Sequence, residues 1–232
     1  MAAFAAARTS ALDRIAAAAA RARRDPATVA LLAVSKTVPP ERLRAAVAAG
    51  IVLLGENRVQ ELAQKAPLVP GATWHLVGHL QGNKARRAVE LCAAVHSVDS
   101  VDLGARLDRL VAEGMGPVPG PLSVYLEVNV DDDPAKSGFR PRSLAEALPA
   151  IAALPRLRLE GLMTIGRLGD SAEPARATFV ALRRLSDRLR TVQPHLGTGL
   201  SMGMSDDFEV AVEEGATIVR VGRALFGERP SR

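Results

Sequence analysis

Apolar residues fall into short blocks that recur along the whole chain. Val29-Ala30-Leu31-Leu32-Ala33-Val34 is a run of six between Pro26 and the Pro39-Pro40 pair, the pattern of a short strand covered on both faces. Similar blocks predict strands at 51–54, 73–77, 94–98, 122–130, 157–165, 200–202 and 217–221. Between them the apolar positions take helical spacing, which predicts helices at 40–49, 59–66, 83–91, 101–112, 143–153, 173–191 and 206–214. Pro40 suits the first turn of one of these and Gly50 its stop. The alanine-rich opening segment predicts a further helix over 10–23, and a last helical turn begins at Gly222-Arg223. Strands that alternate with helices run parallel. Eight such units in 232 residues predict an α/β fold, a single (β/α)8 barrel of the TIM type, as one domain over 1–232. An open doubly wound sheet competes, but the glycine-rich dinucleotide fingerprint is absent after the first strand.

Composition narrows the function classes. The net charge of +5 is spread over helical arginines, and aromatic residues make up only 3%, so base-stacking platforms are missing and no nucleic-acid partner is expected. No run approaches 18 apolar residues, so no membrane span is expected, and the N-terminal segment is broken by Arg8, Asp13 and Arg14 rather than built as a secretory signal. One cysteine, Cys92 in an apolar helical run, excludes an intramolecular disulfide and a multi-thiolate metal site and reads as a buried structural thiol. That fits the cytoplasm.

Barrel chemistry sits at the C-terminal strand ends. Lys36 follows the first strand there. On an apolar floor its amine is costly to keep charged, so it becomes a usable nucleophile; the competing reading is a lysine that snorkels to the surface. Asn57, His79, Met163-Thr164, Ser201, Arg220 and Gly222 fall at the ends of other strands. Gly199-Leu200-Ser201-Met202-Gly203-Met204-Ser205-Asp206 and Val219-Arg220-Val221-Gly222-Arg223 supply hydroxyls, glycines and backbone N–H groups suited to a phosphate. A phosphate opposite a lysine suggests a phosphorylated aldehyde held as an imine, and pyridoxal 5′-phosphate (PLP) is the obvious candidate. Asn57 either bonds the cofactor ring or caps the next helix, and Lys136 either approaches the cofactor or lies on the surface. His75 and His79 lie on a strand and its exit and do not make a zinc pair. Asp131-Asp132-Asp133 reads as a solvated loop.

Several segments together resemble the pyridoxal phosphate homeostasis protein family: Ala33-Val34-Ser35-Lys36-Thr37, Gly55-Glu56-Asn57-Arg58-Val59-Gln60-Glu61, Trp74-His75-Leu76-Val77-Gly78-His79-Leu80-Gln81-Gly82-Asn83-Lys84, Lys136-Ser137-Gly138, Gly161-Leu162-Met163-Thr164 and Leu200-Ser201-Met202-Gly203-Met204-Ser205-Asp206-Asp207. The resemblance implies a fold similar to the N-terminal domain of alanine racemase. It implies that Lys36 forms the Schiff base, that Ser201 and Gly222 hold the phosphate and that Arg220 faces the pyridine nitrogen. Asn57, Met163 and Arg223 complete the expected cofactor contacts. Gly82 and Val38 depart from residues common in the family.

Arginine can only donate, so Arg220 would keep a facing nitrogen unprotonated and the ring a poor electron sink. Racemases of this type use the lysine and a tyrosine from a separate β domain. Here Tyr125 lies inside the fifth strand, and no such domain is expected after the eighth. The expectation is therefore a non-catalytic PLP carrier, a cytoplasmic monomer with apo PLP-dependent enzymes as recipients. A PLP-dependent racemase and a Schiff-base aldolase are the competing functions.

Overall fold

In the computed structural model, which describes residues 1–117, 119–167, 169 and 171–227, eight parallel strands close into a barrel in sequence order. The strands are β1 (Ala30–Val34), β2 (Leu53–Glu56), β3 (Thr73–Leu76), β4 (Ala94–Val98), β5 (Leu122–Glu127), β6 (Leu157–Met163), β7 (Gly199–Met204) and β8 (Ile218–Val221). The last five positions of the expected domain, 228–232, lie outside the described residues. Closure comes from β8 pairing with β1, Ala30 opposite Ile218 through Ala33 opposite Val221.

Helices α1 (Ala2–Arg21), α2 (Pro40–Ala48), α3 (Val59–Lys65), α4 (Ala85–Leu91), α5 (Val101–Ala112), α6 (Pro141–Ala152), α7 (Pro174–Val192), α8 (Phe208–Glu213) and the short α9 (Arg223–Phe226) surround it. Alternate strand residues divide the core in two. Leu54, Trp74, Leu76, Val95, Leu126 and Val219 belong to the large cluster between sheet and helices. Leu32, Val77, Tyr125, Met163 and Ile218 form a separate cluster in the lumen. The opening helix starts at Ala2, earlier than its alanine pattern suggested, and lies on α8, with Arg14 bonded to Glu209 at 2.8 Å and its guanidinium 4.5 Å above the Phe208 ring.

Five strands end where the apolar pattern did not place them: β3 stops one residue and β6 two residues early, and the other three have identifiable causes. β2 runs on to Glu56 because that carboxylate is satisfied from outside the barrel by Ser35 and Lys65. β5 stops at Glu127 because the chain returns at Phe139, whose N–H donates to the Glu127 carbonyl at 2.8 Å. β7 extends to Met204 across a register shift against β8, with Gly203 at φ +91°.

The register of β5 on β6 also shifts, between Tyr125 and the residue before it, and Gly161 absorbs that bulge at φ +153°. A Cβ there would lie 1.8 Å from the Gly199 carbonyl oxygen. Gly161→Ala should therefore cost more than about 3 kcal/mol, or prevent folding, because backbone rather than side chain has to move. Gly114→Ala, at φ +81° in open space, should cost only about 1 kcal/mol. Denaturant unfolding of the two variants checks the contrast; equal losses would contradict the close β6–β7 approach.

Candidate functional site

The chain around Lys36 is set by a charged cluster on the outer side of β1 and β2. Val34 faces the lumen, so the next residue, Ser35, points outward. Its hydroxyl donates to Glu56 Oε1 at 2.7 Å, and the Lys65 ammonium on α3 donates to the same oxygen at 2.7 Å and to the Ser35 carbonyl at 2.9 Å. Lys65 also reaches Glu61 Oε2 at 3.0 Å, and that oxygen accepts the Thr37 N–H at 3.1 Å. Thr37 sits at φ +66°, a costly conformation for a β-branched residue. Both neighbours of Lys36 are thus pinned, one by a hydroxyl and a carbonyl, the other through its backbone. Glu56 and Lys65 are buried, and burial pushes the Glu56 carboxyl up while Lys65 and Ser35 hold it down.

Lys36 lines a cavity of about 400 Å³ at the C-terminal mouth of the barrel. Asn57, Arg220, Gly222 and Arg223 share it, as do Ser205 and Asp206, with Val34, Val77 and Ile165 as its apolar walls. Five of the seven expected site residues are therefore brought together. Met163 is buried in the lumen cluster beneath, next to Val77 and Ile165, and does not line the cavity.

Ser201 is placed differently from its expected role. It is fully buried inside β7 opposite Ile218, and its hydroxyl is engaged by His96 Nδ1 at 2.8 Å and by Arg220 Nη1 at 2.9 Å. The serine at the cavity wall is Ser205, whose Oγ accepts the Gly222 N–H at 3.2 Å. Gly222 precedes α9, so the first N–H groups of that turn have no intrahelical partner. A Cβ on Gly222 would stand 3.1 Å from the Val34 carbonyl oxygen. Arg223 is ion-paired with Asp206.

Arg220 is the buried cation of the site. Its guanidinium donates to the Ser201 carbonyl at 2.6 Å, to Ser201 Oγ and to the Thr164 carbonyl at 2.9 Å. Burial pulls its pKa down to about 10, against the pull of Asp207 and Glu127, so it stays charged at neutral pH. Glu127, buried at the end of β5, is pushed up to about 7 by burial and by Asp99, with Arg220 and His79 opposing. It does not line the cavity, and its Oε2 has no hydrogen bond among the described residues.

Asn57 does not cap α3, whose N-cap is Arg58. Lys136 lies behind the wall: its ammonium holds Asp131 at 3.1 Å and the Ile165 carbonyl at 3.0 Å. Asp131 also takes Arg167 and Thr178, so it is an anchor of that loop. His79 pairs with Asp99 at 3.2 Å, whereas His75 points into the lumen and meets His96 at 2.9 Å. Among the described residues no cluster of side chains suits a metal ion, and no helix is long and apolar enough to cross a membrane.

An alternating βα barrel with a lysine at the end of β1 and an N–H-rich turn after β8 defines a class, and residues 10–230 match the family model of the alanine racemase N-terminal domain. Within that class the chain belongs to the pyridoxal phosphate homeostasis protein family. It is 47% identical over 218 residues to the protein of that name from Pseudomonas aeruginosa, covering 93% of this chain and 91% of the relative. It is 42% identical over 227 residues to the Escherichia coli protein of the same name, covering 94% and 93%. PipY of Synechococcus elongatus, solved with PLP bound, superposes with a TM-score of 0.80 at 42% identity, covering 93% of this chain and 99% of PipY. Alanine racemase of Clostridium difficile shares the fold alone, with a TM-score of 0.70 at 14% identity over 88% of this chain and 53% of the racemase.

Two outcomes follow from the buried groups. Lys65→Met strands the Glu56 carboxylate and should cost about 3–5 kcal/mol in denaturant unfolding, most of it restored by adding Glu56→Leu. His75 has its pKa lowered to about 4 by burial, which Glu160 partly opposes. Because the unfolded chain takes up that proton near pH 6.5, His75 favours the folded state above that value and loses the contribution as pH falls toward 4. Site-resolved NMR should show a neutral ring at pH 5.5; a midpoint near 6.5 would place His75 in solvent.

Proposed function

We propose that the protein binds PLP in the upper cavity, with Lys36 Nζ joined to the cofactor aldehyde as a Schiff base. In this reading it acts as a non-catalytic carrier in cytoplasmic vitamin B6 homeostasis. It works as a monomeric barrel domain over 1–232 and hands PLP to apo PLP-dependent enzymes.

The observation that carries the reading is one cavity that holds Lys36, the Ser205–Gly222–Arg223 turn and the buried Arg220 together. PLP offers an aldehyde, a phosphate and a pyridine nitrogen, and these three groups match an amine, an N–H-rich turn and a cation that only donates. Val34, Val77 and Ile165 supply apolar contact for a ring. The phosphate role assigned to Ser201 passes to Ser205, with Gly222 and Arg223 beside it. The relatives named as homeostasis proteins and the PLP-bound PipY support the same cofactor.

When bound, PLP supplies an electrophilic aldehyde and an electron-withdrawing ring. Arg220 donates to whatever faces it and leaves a facing nitrogen unprotonated, which weakens the ring as a sink. Tyr125, the one tyrosine of the sequence, does not line this cavity. An acid–base partner for Lys36 is therefore not supplied by the residue type that racemases use.

Lys36→Ala should abolish the imine absorbance and borohydride-reducible attachment while the fold survives; an adduct that persists on Lys136 would overturn the assignment. Ser205→Ala should weaken PLP about tenfold, through loss of a charge-assisted hydrogen bond, but leave pyridoxal nearly unchanged. Ser201→Ala should not alter the ratio of the two aldehydes. Titration of imine formation with both aldehydes reads this out, and an unchanged ratio in Ser205→Ala would remove the phosphate from this turn. Exchange of amino-acid α-protons should stay far below an enzyme-like rate of about 1 s⁻¹; sustained exchange at that rate would make the protein an enzyme.

A further inference from the structure

A second cavity, of about 390 Å³, opens at the N-terminal mouth of the barrel, a size within the small-molecule range of roughly 300–1,000 Å³. His75, Ser123, Tyr125, Arg158 and Glu160 line it, with Val111, Met115 and Leu122 as an apolar side. It shares no residue with the cavity that holds Lys36.

Its polar groups are partly committed to each other in a way that leaves one set of donors and one acceptor. Ser123 Oγ donates to Glu160 Oε1 at 2.9 Å, and Arg158 Nε donates to the same oxygen. Arg158 Nη2 donates to Ser123 Oγ at 2.6 Å. Glu160 Oε2, Arg158 Nη1, the Tyr125 hydroxyl and His75 Nε2 have no hydrogen bond among the described residues.

The state of His75 is dictated from the far end of the lumen. Arg220 donates to Ser201 Oγ, and the only other partner of that buried hydroxyl among the described residues is His96 Nδ1. The hydroxyl proton therefore goes to His96 Nδ1, which must be an unprotonated acceptor. His96 then carries its proton on Nε2 and donates it to His75 Nδ1 at 2.9 Å. His75 is left with its own proton on Nε2. The lower cavity is thus offered a donor by His75, a donor by Tyr125, a cationic donor by Arg158 and an anionic acceptor by Glu160, beside an apolar wall.

We propose that this cavity is a second ligand site that takes a small zwitterion of the α-amino acid class, its carboxylate on His75, Tyr125 and Arg158 and its ammonium on Glu160. One charge of each sign, held side by side, matches a molecule that carries both. The apolar wall takes the side chain. A simple carboxylate leaves Glu160 unanswered, and a simple amine meets three donors. The site stands independently of what the upper cavity binds.

Isothermal titration of the PLP-free full chain with L-leucine tests it, with 4-methylpentanoate and 3-methylbutylamine as controls that each lack one charge. Leucine should bind saturably at one site, and each control at least about tenfold more weakly, the worth of one hydrogen bond to a charged group. Glu160→Gln and Tyr125→Phe, checked for an unchanged melting temperature, should each weaken leucine about tenfold. The resonance of His75 Nε2 should move on saturation in the unmutated protein, which needs no variant to fold. Lys36→Ala should bind leucine as the parent does. Absence of saturable binding, equal binding of the controls, an unmoved His75 resonance or variants that bind like the parent would overturn the site. Loss of binding in Lys36→Ala would also overturn it, because leucine would then occupy the upper cavity.

Discussion

A guanidinium buried in the barrel lumen constrains everything around it. Taking the charge of Arg220 out of water costs several kcal/mol unless hydrogen bonds and counter-charges replace the lost solvent. The structure supplies them from two strands: the Ser201 carbonyl and hydroxyl from within β7 and the Thr164 carbonyl just past β6. Three of its five N–H groups are committed this way. The carboxyls of Asp207 and Glu127 lie within electrostatic reach. Asp207 is itself held by the Met204 N–H at the top of β7, so the counter-charge is fixed to the same strand. These contacts tie β6, β7 and β8 into one unit directly below the cavity.

That arrangement divides the lumen. Barrels of this type commonly fill the lumen with layers of branched apolar side chains. Here Leu32, Ile218 and Met163 form an apolar part, and Arg220, Ser201, His96 and His75 form a hydrogen-bonded file beside it. Tyr125 joins the two, its ring 4.4 Å from that of His96. Burial pulls both histidines below their usual range, so the file carries a single fixed charge at one end. A neutral imidazole is an acceptor at one nitrogen and a donor at the other, which is why the donor character of Arg220 is transmitted along it without a second charge.

The strand pattern was legible because parallel strands buried on both faces read as unbroken apolar runs, and β4 and α5 fall on the residues that the pattern named. The end of β2 failed because a polar residue stayed in the ladder. Glu56 looks like a strand terminator until Ser35 and Lys65, 21 and 9 positions away, are seen to satisfy it. The exchange of Ser201 for Ser205 has another origin. Each serine lies two positions from a glycine in one short segment, and the side that each faces depends on the register shift that Gly203 absorbs in β7, which leaves no mark on the hydrophobic pattern. His96 did leave a signal. An ionisable side chain in the middle of Ala94-Val95-His96-Ser97-Val98 has to find a partner inside the fold, and the apolar residues around it concealed which partners those are.

Lys36, by contrast, owes its place to a boundary between the two faces of β1. Val34 points into the lumen and Ser35 out of it, so a lysine one residue further returns to the inner side at the mouth. The turn at Thr37 follows directly, and its left-handed backbone costs on the order of 1–3 kcal/mol. The hydrogen bond from Thr37 N–H to Glu61 offsets part of that cost, and Glu61 is held in turn by Lys65. The charged cluster lies wholly outside the barrel, yet its product is the position of an amine inside it. Local strain at Thr37 is sustained by an ion pair on a neighbouring helix, so α3, not β1 itself, holds the turn that follows Lys36.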